Sequence, residues 1–258
     1  MEMSQTRIHC LHAGVCEDAL TKVSVIIPAL NEEKLLPSTL ESVKAQTYRN
    51  FELIIKDGLS TDKTVGIAKR YGAKVISLRD SSAGEARNQG ARHAVGDVLV
   101  FLDADTLMAP DTLNKLVKDI REYAAVLVFP RYQTREQIMQ FNGRPSYTAR
   151  VFVTWWFTFE DLFRKYADKY AGGMCMACDA AAFRRIGGFN EKLKVCEDIE
   201  ISYRFRKAGR VVCDHEIVVY PSARRYFKGG VLRSLLTYLV FRVRWHLGLE
   251  QPKPIVFR

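Results

Sequence analysis

Two carboxylates one residue apart, Asp103 and Asp105, stand directly behind the apolar run VLVFL (98–102), and the hydroxyl of Thr106 follows them. A buried strand has no use for paired carboxylates at its tip, and left unpaired they repel one another. A divalent cation is the natural partner. Mg²⁺ or Mn²⁺ uses one or two protein carboxylates and completes its shell with water and phosphate oxygens. The plainer alternative, that Asp105 and Thr106 cap a turn before a helix opened by Pro110, explains one aspartate only. A second acidic pair, Glu197 and Asp198, opens the helix-like segment EDIEISYRFRKA. A single carboxylate at a reacting centre can take the proton of an attacking hydroxyl. The plainer alternative there is an acidic first helical turn, favoured by the helix dipole.

These residues need elements to position them. Apolar runs alternate with amphipathic stretches: VSVII (23–27), a helix with Leu36, Leu40 and Val43 inward, then FELIIK (51–56). A short helix with Val65 and Ala68 on one face closes at Gly72, and KVISL (74–78) follows. Next come the small-residue helix AGEARNQGARHAVG (83–96) and DVLVFL (97–102). A helix from Pro110 with Leu113, Leu116, Val117 and Ile120 inward leads to AVLVFP (125–130). Strands apolar on both faces, alternating with helices, predict an α/β fold with a parallel sheet covered on both sides over 22–130. Ligands of such sheets bind at the carboxyl ends of the strands, near the reversal of strand order. That rule brings Asp57, behind the second strand, to the same edge as Asp103 and Asp105. Beyond 130 the rhythm breaks into an aromatic-rich helical stretch (149–166), the glycine-led GGMCMACDAAAF (172–183) and the acidic-start helix. No linker separates them, so the second half is expected to pack against the sheet.

The 258 residues are 48% hydrophobic and 26% charged, as in an ordinary globular protein. The formal net charge of +10 implies attraction to something anionic. Six cysteines are too few for a disulfide scaffold, and no apolar stretch of a secretory signal follows Arg7. Reduced thiols in a cytoplasmic protein are expected. Cys175 and Cys178 have the spacing of half a zinc knuckle, and HCLHAGVC (9–16) is comparable; neither has a second half, so apolar packing and a loose tail are expected instead. No apolar run is long enough to span a bilayer.

In order and spacing, VSVIIPALNEE, FELIIKDGLSTDKT, AGEARNQGA, DVLVFLDADTL and then GGFNEKLKVCEDIEISYRFRKAG resemble family 2 glycosyltransferases of the GT-A fold, with dolichol-phosphate-sugar synthases among the relatives. The resemblance covers about residues 22–215 and implies a mostly parallel sheet flanked by helices. Its nucleotide-sugar half would be 22–130 and its acceptor half 131–215, with an N-terminal tail (1–21) and a basic, aromatic extension (216–258). It implies inverting transfer from a UDP- or GDP-sugar with Mg²⁺ or Mn²⁺ held by Asp105 and Asp103. By the same resemblance Pro28, Leu30 and Glu32 would line the base pocket and Asp57 would accept a hydrogen bond from the base. Asp103 would face ribose and sugar, and Arg87 would lie near the diphosphate or donor sugar. Asp198 would be the base, with Glu197 supporting; an already ionised phosphate acceptor would need only to be oriented. Arg131 would follow the fifth strand, where the synthases carry a phosphate-contacting arginine. Two departures leave the nucleotide open: Gly58 stands where many relatives carry a second aspartate, and Leu30 replaces a frequent aromatic.

Between residues 217 and 249 there is no acidic residue, whereas Arg224, Arg225, Lys228, Arg233, Arg242 and Arg244 are interleaved with Tyr226, Phe227, Tyr238, Phe241 and Trp245. An amphipathic helix over 231–249 suits the interface of an anionic membrane. The acceptor would then be a polyisoprenyl phosphate or lipid-linked glycan, with Arg224 and Arg225 as phosphate contacts, on the cytoplasmic membrane face. The alternative is a helix docked on the sheet or on a second subunit of a homodimer. Nucleic acid is disfavoured because the remaining basic residues are scattered. Two other functions stay in view. A sugar-nucleotidyltransferase wants a glycine-rich phosphate loop where PALNEE stands, and a non-catalytic nucleotide-sugar-binding module would have no need of both acidic pairs.

Overall fold

The computed structural model describes residues 21–133 and 172–224, together with single helical positions at 151, 154, 155, 158, 236, 240, 243 and 244. Among them an eight-stranded sheet runs in the order β3-β2-β1-β4-β7-β6-β8-β5. Its strands are β1 (Val23–Ala29), β2 (Phe51–Asp57), β3 (Lys74–Ser77), β4 (Val98–Leu102), β5 (Thr106–Met108), β6 (Ala125–Tyr132), β7 (Cys175–Asp179) and β8 (Arg210–Pro221). The helices are α1 (Leu36–Lys44), α2 (Thr64–Arg70), α3 (Ala83–Ala91), α4 (Thr112–Glu122), α5 (Ala180–Arg185) and α6 (Glu197–Ala208).

Strands β1 to β4 are mutually parallel, as their apolar, helix-linked pattern predicts. The sheet as a whole is mixed. β7 inserts antiparallel between β4 and β6, β8 runs parallel to β6, and the short β5 closes the edge antiparallel to β8. Pattern reading missed β5, β7 and β8. Three residues are too few to show a period, and CMACD carries none of the β-branched residues that mark a strand.

Alternate strand residues feed two cores. Val98, Val100 and Leu102 of β4 pack with Leu36, Leu40 and Val43 of α1 and with Leu113, Leu116, Val117 and Ile120 of α4. Leu99 and Phe101 point the other way, into a layer with Phe183, Phe189, Ile201 and Phe205. On α2 the buried residues are Ile67 and Ala68; Val65, expected inward, is half-buried, because the helix turns its Thr64–Ile67–Ala68 face to the sheet. Gly72 closes that helix at φ +72°, as expected of a left-handed cap. α3 is small-residue for a physical reason: a Cβ on Gly90 would stand 2.5 Å from Ile26 Cγ2 of β1. Close packing there lets Arg87 reach the sheet edge.

Cys175 and Cys178 are both buried, on opposite faces of β7, one in each core layer. They cannot share a metal, so the knuckle spacing is that of core packing. Residues 9–16 lie outside the described residues.

Candidate active site

The strand order reverses between β1 and β4, and the sequence-predicted residues gather at the carboxyl edge around that point. The loops there interlock. Asn31 N–H donates to Ser60 Oγ (2.9 Å), Glu32 N–H to Thr64 Oγ1 (2.8 Å) and Glu33 N–H to Asp62 Oδ2 (3.0 Å), tying the loop after β1 to the loop after β2. Thr39 Oγ1 donates to the Ala104 carbonyl (2.8 Å), tying α1 to the loop that carries both aspartates. Asn31, Leu59 and Cys196 hold positive φ angles of 54°, 69° and 59°. Non-glycine residues pay for that backbone, and such strain collects at functional loops.

The carboxylates are paired, by arginines rather than by one another. Arg87 is buried and its guanidinium is a hub: Nη1 donates to Glu197 Oε1 (2.8 Å), and Nη2 to Asp103 Oδ1 (3.0 Å) and the Gly173 carbonyl (2.8 Å). It lies 5.5 Å from the Phe189 ring centroid. Burial works against its charge, but the carboxylates of Asp103 and Glu197 outweigh it and hold its proton more tightly than usual. Arg87 therefore stands behind the site, bracing its walls. A second arginine, Arg224, sits just after β8; its Nε is 3.0 Å from Asp105 Oδ2 and its Nη2 pairs with Glu32 Oε1.

Asp198 occupies the second position of α6 and is half-buried. Gly173 N–H donates to its Oδ2 and Ile199 N–H to its Oδ1, each at 2.8 Å. Loss of water and the neighbouring Glu197 carboxylate push it up to about 7, against the opposing pull of Arg87 and the two N–H groups. A carboxylate so tuned, partly open at the edge of a sheet, has the makings of a general base. The acidic first turn of α6 is thus real, and its first two side chains also face the site.

The other expected site residues fall as follows. Pro28 is half-buried and Leu30 is exposed, both at the end of β1. Asp57 is 1% exposed and its Oδ1 caps the loop by accepting Ser60 N–H (3.0 Å). Arg131 lies within β6, not after it, because the strand runs on to Tyr132. Arg225 lies outside the described residues. Sequence reasoning missed Gly173 and Tyr132. A Cβ on Gly173 would stand 3.0 Å from Arg87 Nη2 and 3.4 Å from Asp198 Oδ2, so glycine is needed for both contacts. The Tyr132 hydroxyl lies 2.9 Å from the Gly172 and Cys175 carbonyl oxygens and anchors that turn. The doublet GG before CMACD was the signal available.

No group of three or more His, Cys, Asp or Glu side chains able to hold a metal occurs among the described residues. Asp105 nonetheless offers an anionic oxygen already matched to a cation, Arg224. A hard carboxylate oxygen is the donor Mg²⁺ or Mn²⁺ would take here, in exchange for the Arg224 contact, with water and substrate phosphate in the remaining positions.

Known proteins carry the same arrangement of elements. The chain is 22% identical to the mannosyltransferase PcManGT of Pyrobaculum calidifontis, solved with GDP-Man and Mn²⁺, at a TM-score of 0.68 over 90% of this chain and 66% of that one. The S. aureus TarS fragment solved with UDP-GlcNAc gives a TM-score of 0.61 at 22% identity, over 78% of this chain and 58% of that one. At that identity the likeness is one of fold, GT-A. An uncharacterized glycosyltransferase of Rickettsia typhi is 27% identical over 76% of this chain and 62% of its own length. A PGL/p-HBAD biosynthesis glycosyltransferase of Mycobacterium bovis is 41% identical over 39% of this chain and 42% of its own. The chain thus spans 42–62% of the length of these curated relatives. Residues 24–187, which include Asp57, Arg87, Asp103, Asp105 and Gly173, match the model of Glycosyl transferase family 2, and the chain belongs to that family.

Proposed function

We propose that this protein moves a sugar from a nucleotide-sugar to an acceptor by single displacement with inversion. The observation that supports this reading best is Asp198, half-buried beside Glu197 and raised to about 7. As a base it takes the acceptor's proton while the acceptor oxygen attacks the anomeric carbon and the diphosphate leaves. Glu197 raises Asp198 by its charge and is itself fixed by Arg87. Asp103, 29% exposed on its side chain, is braced by the same arginine and faces the donor. Asp105, with Asp103 beside it, would hold the divalent ion, which would supply neutralising charge to the leaving diphosphate. Pro28, Leu30 and Glu32 border the base, with Asp57 setting the loop beneath it. Residues 22–130 form the donor half and 131–215 the acceptor half.

For the acceptor, the basic extension favours a lipid-linked phosphate or glycan at the cytoplasmic face of an anionic membrane, with Arg131 and Arg225 as its phosphate contacts and Arg224 joining them by exchanging Asp105 and Glu32 for phosphate. Leu236, Val240 and Val243, the described apolar positions of its helix, are 53%, 49% and 47% exposed, which suits an interfacial helix or a dimer contact. No helix among the described residues is long and apolar enough to cross a membrane.

The test is incubation of the protein with labelled UDP-, GDP- or dTDP-sugars, Mn²⁺ and, in parallel, a hydroxyl-bearing lipid-linked glycan or a polyisoprenyl phosphate, with the anomeric configuration of the product read by NMR. An inverted product is expected from wild type, lost in Asp198→Asn with the hydroxyl acceptor and retained with the already ionised phosphate. Retention of configuration refutes single displacement. Donor binding without turnover on any acceptor would favour a binding module, and sugar–nucleotide bond synthesis from triphosphate the nucleotidyltransferase.

A further inference from the structure

The carboxyl ends of β1, β2 and β3 carry a feature that neither acidic pair explains. Ala29, Asp57 and Ser77 are in register across the three strands, so the residues that follow them stand side by side. Those residues include three leucines. Leu30 is 55% exposed, Leu59 46% and Leu78 48%, so three apolar side chains stand open on an edge otherwise given to charge. Leu59 is held in the left-handed region, at φ 69°. Beneath the leucines lies Lys56, whose side chain is fully buried in the sheet. Its Nζ donates to the Leu78 carbonyl (2.6 Å) and forms an ion pair with Asp80 Oδ2.

A buried lysine is costly unless paired, and its pairing fixes Asp80 in place. Gly58 makes the room: a Cβ there would stand 3.2 Å from Asp80 Oδ2 and 3.4 Å from Leu30 Cβ. Asp80 therefore comes up beside the leucines, where an aspartate at position 58 would have competed for the space. Its side chain keeps 24% of its surface exposed, whereas Asp57 is 1% exposed and spent on its own loop. Of the two carboxylates, Asp80 is the one that can meet a ligand.

We infer that Asp80 reads the nucleobase and selects guanine, so that the donor is a GDP-sugar. This inference rests on the nucleotide-sugar reading above. Exposed leucines flanked by a fixed carboxylate suit a flat heterocycle lying on them with one edge towards the acid. A carboxylate is an acceptor only, with about four lone-pair sites on its two oxygens, so Oδ2 can serve Lys56 and the base together. Guanine presents two adjacent donors, N1–H and the N2 amino group, and engages both oxygens. Uracil and thymine present one N–H flanked by two carbonyl oxygens, which a carboxylate repels. Adenine sets one donor beside an acceptor. Two charge-assisted hydrogen bonds against one, or against repulsion, decide the base.

Calorimetric titration of the full chain with GDP, inosine diphosphate and UDP, each with Mn²⁺, tests this. GDP is expected to bind roughly tenfold or more tightly than UDP, and inosine diphosphate, lacking the N2 amino group, roughly tenfold less tightly than GDP. In Asp80→Asn both gaps should close, with GDP weakened and UDP binding no less tightly than before. Should Asp80→Asn fail to fold with Lys56 unpaired, the double variant Lys56→Met/Asp80→Asn carries the same comparison. UDP binding as tightly as GDP, or a GDP preference that survives loss of the carboxylate, overturns the inference and leaves the transferase reading intact. Failure of all three diphosphates to bind overturns the inference, and binding of dTDP in the same titration would then keep the transferase reading.

Discussion

Arg87 and Glu197 are 110 residues apart in the chain and 2.8 Å apart in the fold. With Asp103 on its other nitrogen, Arg87 joins the loop after β4 to the first turn of α6, the two pieces that carry the donor-side and acceptor-side carboxylates. Removing it would leave Glu197 as a buried charge without its cation. Arg87→Met should therefore destabilise the protein by about 3–5 kcal/mol. Arg87→Lys keeps the charge but cannot span both carboxylates with one ammonium. It should fold, melt at lower temperature and lose donor binding and turnover together. Thermal melting with calorimetry of donor binding checks this; wild-type values for both in Arg87→Lys would show that the fork is dispensable.

Turnover should follow the titration of Asp198. Its base form dominates above about 7, so the rate should rise with pH through that value to a plateau. Stability runs the other way. A carboxyl whose folded-state value is raised from 3.8 favours the folded protein most below that value, and the contribution is lost as pH rises through about 7. Asp198→Asn should cost about 10²–10⁴-fold in transfer to a hydroxyl acceptor without loss of donor binding. A flat pH–rate profile between 5 and 8, under conditions where chemistry limits the rate, would argue for a phosphate acceptor.

Asp105→Ala should abolish the metal-dependent part of nucleotide-sugar binding and leave the fold intact, because the residue lies on a loop with its side chain 18% exposed. Chelation of Mn²⁺ from wild type should have the same effect on affinity. Calorimetry with and without Mn²⁺ reads both, and unchanged affinity in the variant removes Asp105 from the metal role.

A second raised carboxyl lies far from the site. Asp119 of α4 is buried, and burial together with the Asp214 carboxylate pushes it up to about 7. Asp214 stands where β8 slips register against β6. The pair is comfortable with one proton between them and strained once that proton leaves. Stability supplied by the protonated Asp119 is complete below 3.8 and lost as pH rises through about 7. Asp119→Asn should remove that loss and raise stability at pH 8 by roughly 1–3 kcal/mol, and at pH 5 by about a third of that. Denaturant titrations at the two pH values decide it; an equal shift at both would point to packing rather than charge.

The basic extension should bring the protein to anionic lipid. Full-length protein should co-sediment with phosphatidylglycerol vesicles, less so as salt rises, because Arg233, Arg242 and Arg244 would each contribute about 1 kcal/mol of screened attraction. A chain cut after Gly230 should stay in the supernatant. Equal sedimentation of the folded, truncated chain would exclude the helix as anchor. If neither sediments, a core or dimer contact is the better account.

The sequence alone determined what is local. Alternation of apolar runs with amphipathic stretches announced β1 to β4 and the helices between them, because a strand covered on both faces and a helix covered on one each leave a period in the chain. The behaviour of parallel sheets then carried Asp57, Asp103 and Asp105 to one edge, and the motif series marked Glu197 and Asp198 as their counterpart. What the carboxylates touch was decided by tertiary structure. Nothing in the spacing of Arg87, Glu197 and Gly173 says that they meet, and a guanidinium can satisfy two acids as well as an ion can. Arg224 reaches Asp105 only because β8 returns along the sheet to end beside β5. β7 was invisible because four buried residues of Cys, Met and Ala ending in the half-buried Asp179 show neither alternation nor β-branching; it became a strand by filling the gap between β4 and β6. Lys56 and Asp80 were passed over for a different reason. A lysine within an apolar run reads as a strand end, and only the fold shows it buried, holding a carboxylate beside three exposed leucines.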